Sequence, residues 1–286
     1  MFTLNCKGTL LVADQPLVMG IINATPDSFY DESRFSDTDK ILSKAEQMIV
    51  EGADIIDIGG QSTRPGSESV SEGEELRRVI EGIEAMHRQF PGVIISIDTY
   101  YATVAKETVQ AGAAIVNDIS AGNLDKQMIA TVSELQVPFI AMHMKGVPAN
   151  MYEYASYDNI TREVLDFFIQ KREECKKAGI HDIIIDPGFG FSKGAAHNFE
   201  LLKNLSLFKM LDVPILVGIS RKSSIYKTLD VTAREALNGT TVLNTIALMN
   251  QASILRVHDV REAKEAVKLC RMVTGISGNF GRPIII

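Results

Sequence analysis

Short β-branched apolar runs recur along this chain, and nearly every one stops on a polar residue. Residues 182–193, DIIIDPGFGFSK, show the pattern plainly. The three isoleucines read as a strand buried on both faces and therefore parallel. Asp186 ends it, and Pro187, Gly188 and Gly190 turn the backbone sharply, leaving a carboxylate at the strand tip. Alone, Asp-Pro-Gly is an ordinary turn. Repetition changes that reading. Residues 17–24 close on Asn23, 54–58 on a glycine-rich segment, 93–97 on Asp98, 114–116 on Asn117, 138–142 on His143, 214–217 on Ser220-Arg221-Lys222, and 254–257 on Arg256 and His258.

Between these runs, residues 39–51, 72–90, 103–111, 126–135, 160–177, 199–205, 234–251 and 260–274 read as helices, several closed by glycine. Residues 3–5 and 9–12 flank Lys7-Gly8 as a short β-hairpin. Eight strand-helix units in about 250 residues predict a single α/β domain over 1–286, a (β/α)8 TIM barrel with an N-terminal hairpin and long loops after strands 1 and 2. An open doubly wound sheet would gather its ligand groups at one crossover. Here polar tips end nearly every strand and form a ring around one mouth.

The chain has 286 residues, 45% hydrophobic and 23% charged, enough for a large core. Its net charge of −7 argues against a nucleic-acid partner. Cys6, Cys175 and Cys270 are odd in number and lack metal-type spacing, which fits free thiols in a reducing compartment. No signal-peptide pattern and no run of eighteen apolar residues is present, so a cytoplasmic protein with no membrane partner is expected.

The rim offers acceptors (Asp98, Asn117, Asp186), cations (Arg64, Lys222, Arg256, His258) and neutral polar groups (Asn23, Thr63, Ser220). A carboxylate facing two adjacent N–H groups of a flat heterocycle makes a bidentate, charge-assisted pair. Arginine stacks on such a ring while its fork reaches phosphate oxygens, so Arg256 and His258 suit an anionic tail. Each residue also has a plainer use. Asp98 or Asn117 alone reads better as a helix cap, and Lys222 alone as a surface lysine. A Schiff-base role for Lys222 needs no ring of carboxylates. The five histidines show no paired spacing for a transition metal. Mg²⁺ arriving with a pyrophosphate and touching the protein through one oxygen, such as that of Asn23, fits better.

The ordered set Met19–Phe29 (MGIINATPDSF), Asp57–Gly66 (DIGGQSTRPG), Ser96–Thr99 (SIDT), Asn117–Ile119 (NDI), Met142–Met144 (MHM), Asp186–Phe191 (DPGFGF), Ser220–Ser223 (SRKS) and Arg256–Val260 (RVHDV) resembles the dihydropteroate synthase family. The resemblance runs from about Leu17 to Val273. It implies a pterin-binding barrel, a homodimer, joining 6-hydroxymethyl-7,8-dihydropterin diphosphate to 4-aminobenzoate, with sulfonamides as competitive inhibitors. It further implies that Asp98, Asn117, Asp186 and Lys222 hold the pterin, that Arg256 stacks on it, that Arg256, His258 and Asn23 meet the diphosphate and its Mg²⁺, and that Val257 is among the substrate-binding residues. Asp98, Lys222, Arg256 and His258 would be the catalytic set. Phe29 on the first loop and Thr63, Arg64 and Pro65 on the second would close over the site, with aminobenzoate among Phe29, Pro65, Phe191 and Ser220. Gln61 stands where many members have Glu, and Tyr30-Asp31-Glu32-Ser33 replaces a glycine-richer stretch. A corrinoid-dependent pterin methyltransferase would not need Arg64, Arg256 and His258, and a silent pterin-binding protein would release no pyrophosphate.

Overall fold

Parallel strands alternate with helices from Leu17 to Thr274 in the computed structural model, which describes residues 1–25, 37–62, 69–275 and 283–285. The barrel strands are β3 (Leu17–Asn23), β4 (Ile55–Gly59), β5 (Ile94–Asp98), β6 (Ile115–Asp118), β7 (Phe139–Met142), β8 (Ile183–Asp186), β9 (Leu216–Val217) and β10 (Ile254–Val257). They pair in parallel in the order β8-β7-β6-β5-β4-β3-β10-β9. A parallel bridge between Ile185 and Ile215, with Ile185 N–H donating to Pro214 O at 3.0 Å, closes the ring. The barrel expected from the sequence is therefore the one observed.

Strand alternation splits the core in two. Leu17, Met19, Ile55, Ile94, Ile115, Ile140, Ile184, Leu216 and Ile254 form one cluster with Leu4 and Leu11 of the hairpin, β1 (Phe2–Cys6) and β2 (Thr9–Ala13). That cluster is the floor of the barrel interior, plugged from below. The intervening residues, such as Ile56, Ile58, Ile95, Val116, Ile185 and Val257, pack outward on the surrounding helices. Those helices are α1 (Asp37–Glu51), α2 (Glu72–Gln89), α3 (Ala102–Ala111), α4 (Met128–Leu135), α5 (Ile160–Ala178), α6 (Ala195–Lys203), α7 (Ser223–Tyr226), α8 (Leu237–Met249) and α9 (Val260–Thr274). Among the described residues, none of them is long and apolar enough to cross a membrane.

Two helix starts differ from the sequence expectation, and one strand had none. Helix α6 begins at Ala195, four residues before Phe199, and a 3-10 turn, Leu205–Leu211, follows it. The eighth helix starts at Leu237, behind a 3-10 turn, Ala233–Glu235, where Thr232 and Glu235 cap one another. The apolar end forms a strand, β11 (Ile284–Ile285), antiparallel to β2, with Ile285 opposite Leu11.

Candidate active site

Two residues up each strand from the apolar floor, the interior turns polar. The same alternation that puts Ile55, Ile115, Ile184 and Ile254 inside puts Asp57, Asn117, Asp186 and Arg256 above them on the same side, with Asp98 above Ser96 and Ile94. Arg256 sits between two carboxylates: Nε donates to Asp57 Oδ2 and Nη2 to Asp98 Oδ2, both at 2.6 Å. Asp57 Oδ2 also accepts from Asn117 Nδ2 at 3.0 Å, while its Oδ1 is buried with no partner among the described residues. Burial pushes Asp98 up from 3.8 to about 7; Arg256 opposes this, and Asp57, Asp118 and Asp186 add to it. Burial works against a charged Arg256, but Asp57 and Asp98 outweigh it and keep the guanidinium protonated.

On the other side of the mouth, Asp186 Oδ1 accepts from Gly188 N–H at 2.8 Å. Burial raises the Asp186 pKa against the pull of Lys222, the Gly188 amide, Arg256 and Lys193. Lys222 leaves the tip of β9 and donates to the Phe189 carbonyl, with its Nζ 4.6 Å from the centre of the Phe191 ring. Burial lowers it from 10.5 to about 8, although Asp186 holds it up. Gly190 packs against this lysine: a Cβ there would lie 3.0 Å from Lys222 Cδ. Ser220 and His258 meet across β9 and β10, Oγ to Nδ1 at 3.1 Å, and Ser220 Oγ also accepts from the His258 backbone N–H at 3.3 Å. Arg221, next to Lys222, is committed elsewhere, in a fork on Asp259 at 2.8 and 2.9 Å.

Asp98, Asn117, Asp186, Lys222 and Arg256 are thus brought to one mouth, with Ser220 and His258 at its edge and Asn23 at the tip of β3 beside Gly59. Val257 alternates with Arg256 and turns its side chain into the outer strand-helix layer, so it meets the mouth through its backbone alone. Phe29, Thr63, Arg64 and Pro65 lie outside the described residues. The base of the second loop is described: Gln61 Nε2 donates to Glu75 Oε2 at 2.6 Å and Tyr100 OH donates to Gln61 Oε1 at 3.0 Å. Burial raises fully enclosed Glu75 to about 8. Asp57, which holds Arg256, and the buried Lys193–His143 contact behind the mouth were given no role from the sequence. A two-residue step up from Ile55 finds Asp57; no comparable signal marks Lys193.

Comparisons with known proteins agree with this geometry. Residues 19–258 match the family described as "Pterin binding enzyme". A dihydropteroate synthase of Escherichia coli strain K12 is 43% identical over 265 residues, 92% of this chain and 93% of that protein. Among solved structures, the Xanthomonas albilineans enzyme with 4-aminobenzoic acid superposes with a TM-score of 0.90 at 37% identity, covering 96% of this chain and 99% of that one. The Yersinia pestis enzyme in a sulfonamide drug complex gives 0.90 at 40%, covering 96% and 100%. Barrel, ionic mouth and family match define a pterin-binding barrel enzyme. Within that class, the chain belongs to the dihydropteroate synthase family of transferases.

Proposed function

We propose that this mouth condenses 6-hydroxymethyl-7,8-dihydropterin diphosphate with 4-aminobenzoate by a dissociative route. The observation that carries the reading is the ionic ladder across the barrel, in which Arg256 is held between Asp57 and Asp98 while Asp186 lies under the influence of Lys222. Asp186 takes the 2-amino and N3–H edge of the ring, Lys222 the 4-oxo side, and Asp98 and Asn117 complete the pocket. These groups stabilise the ring as positive charge grows on its exocyclic methylene. The C–O bond breaks with its electron pair leaving on pyrophosphate. The arylamine lone pair then forms the C–N bond, and the released proton passes to water. No strong base is required, because an arylamine is neutral at pH 7.

Arg256 Nη1 bonds none of the described residues and, with the flat face of the guanidinium, is given to the ligand; the side chain is 19% exposed. The Ser220 hydroxyl accepts from the His258 backbone N–H and lies 3.1 Å from Nδ1, which holds the imidazole at the edge of the mouth, on the side given to the diphosphate. No group of three His, Cys, Asp or Glu among the described residues could hold a resident metal. A lone Asn23 amide oxygen instead fits an ion that arrives chelated by the diphosphate and keeps its waters. Mg²⁺, when bound, neutralises leaving-group charge. Phe191 and Ser220 line the aminobenzoate side; the roles expected of Phe29, Thr63, Arg64 and Pro65 fall on residues outside those described. The 4-aminobenzoic acid of the Xanthomonas structure and the sulfonamide drug of the Yersinia structure support the substrate and inhibitor classes.

The chain works as a homodimer in the cytoplasm. The outer faces of α8 and α9 carry exposed Val242, Ile246 and Met249 beside Leu269, Met272 and Val273, an apolar surface that a second copy would cover. All three cysteines are buried and unpaired, as a reducing compartment allows. The test is pyrophosphate release on adding aminobenzoate, with calorimetric titration of the pterin diphosphate. Asp186→Ala and Lys222→Ala lose pterin affinity sharply, whereas Phe29 and Pro65 variants change mainly aminobenzoate and sulfonamide handling. Unchanged affinity in Asp186→Ala removes the role given to that carboxylate.

A further inference from the structure

Lys193 is almost fully enclosed, at 2% exposure, in the loop after β8. Its Nζ lies 2.9 Å from His143 Nδ1, 3.1 Å from the His143 carbonyl and 2.9 Å from the Phe191 carbonyl. An ammonium donates to all three; a neutral amine donates to the two carbonyls and accepts from Nδ1–H. The contact closes in either charge state. Its partner is equally enclosed: His143 sits at the tip of β7, edge-on to Phe167 at 5.0 Å between ring centres. The turn packs closely on the tip of β7: a Cβ on Gly188 would lie 2.1 Å from His143 O and 3.2 Å from Lys193 Nζ, so only glycine fits there.

The turn held this way carries three groups of the mouth. Gly188 N–H binds Asp186, the Phe189 carbonyl accepts from Lys222, and the Phe191 ring lies beside the same ammonium. Phe191 N–H folds the turn onto Gly188 O at 3.1 Å. We propose that Lys193 is a positioning residue, tying the Gly188–Phe191 turn to the tip of β7 and thereby setting where Lys222 and the Phe191 ring meet the two substrates. The proposal rests on the reaction assigned above; the lysine itself touches no ligand.

The experiment uses the full chain with Lys193→Met, the shorter donor-retaining Lys193→Gln, Lys222→Ala, and Lys193→Met combined with Lys222→Ala. Lys193→Met weakens pterin diphosphate binding and raises KM for aminobenzoate, each about tenfold, with kcat changed by less than about threefold; Lys193→Gln falls between. In the Lys222→Ala background, Lys193→Met adds less than about twofold to the loss of pterin affinity, because the lysine it positions is gone. Amide exchange at Phe189, Gly190 and Phe191 is about tenfold faster in the ligand-free Lys193→Met chain. Losses that multiply across the two sites, or exchange unchanged from the parent, overturn the proposal. If Lys193→Met does not fold, Lys193→Gln is read in its place; failure of both to fold assigns Lys193 to stability alone and overturns it. A parent chain that binds no pterin diphosphate refutes the reaction instead, and the exchange measurement still decides the clamp.

Discussion

Replacing Asp57 separates the residue that holds Arg256 from the residues that meet the ligand. Its carboxylate is fully buried and takes Arg256 Nε at 2.6 Å and Asn117 Nδ2 at 3.0 Å on one oxygen. Asp57→Ala strands the Asn117 amide and half of the arginine clamp. Removing one member of a buried pair costs about 3–5 kcal/mol, and the surviving bond to Asp98 places this case near the lower figure. Asp57→Asn keeps an acceptor but exchanges a charge-assisted bond for a neutral one, a loss of about 1–2 kcal/mol. Urea unfolding reads both.

The same substitution has a pH signature whose sign follows from the neighbours. Burial, then the Asp57, Asp118 and Asp186 charges, push Asp98 to about 7 while Arg256 pulls it down. Asp57→Asn removes one of the upward influences and leaves Arg256 a single partner among them. Both changes lower Asp98. With ionised Asp98 needed in the pterin pocket, kcat/KM in the parent falls as pH drops through about 7, and in Asp57→Asn that limb moves to lower pH. Stability runs the other way. A carboxyl raised by folding holds a proton that the unfolded chain gives up, so its contribution is lost as pH climbs from about 4 to about 7, by at most about 1.4 kcal/mol per unit. Asp57→Asn flattens that slope. An acid limb that stays in place or rises, with unfolding free energy unchanged, refutes the reasoning.

Lys222, lowered by burial to about 8, sets the opposite limb: kcat/KM falls as pH rises through about 8, and the residual activity of Lys222→Met lacks that fall in a full pH profile. Glu75, raised by burial to about 8, contributes stability below about 4.5 that is lost as pH climbs to 8. Glu75→Gln therefore unfolds with a flatter pH dependence in urea, and parallel curves for the two chains would exclude a protonated Glu75. Leu269→Glu with Met272→Glu puts charges into the outer α9 face and shifts sedimentation from dimer to monomer; an unchanged sedimentation coefficient places the subunit contact elsewhere.

The barrel was legible because its signals are local. Runs such as Ile183-Ile184-Ile185 are too short for a helix and apolar on both faces, and each is stopped by a residue that cannot enter a dry interior uncompensated. Features that depend on distant partners were not legible. The pairing of Ile284 with Val12 is set by an open edge of the hairpin at the far end of the chain. The start of α6 carries no Ser, Thr, Asp or Asn cap; Gly194 N–H is met by His197 Nδ1 at 3.3 Å, a contact invisible to a capping rule. Lys193 has the sequence surroundings of a solvated lysine, and only the folded loop shows it buried against the His143 and Phe191 carbonyls.

The candidate site was legible where strand tips compete with helix caps, and the outcome has a physical cause. Asp98 and Asn117 each had capping as the plainer reading, yet other residues serve the backbone amides that follow them. Asp125 accepts the Ala102 N–H at the start of α3 at 2.8 Å, and Asp118 takes the Ser120 and Gly122 amides at 2.7 and 2.6 Å. A strand alternates its side chains, so of Asn117 and Asp118 one must face the barrel interior and the other the loop and helix layer. The turn is served by the outward member, leaving the inward one to Asp57 and the mouth. Asp57 was overlooked because it lies inside a strand rather than at its tip, one layer below the loop that drew attention. Its depth suits its part: a carboxylate that anchors Arg256 must be dry to hold it, whereas one that meets a ligand must reach the rim, as Asp98 does at 9% exposure against none for Asp57.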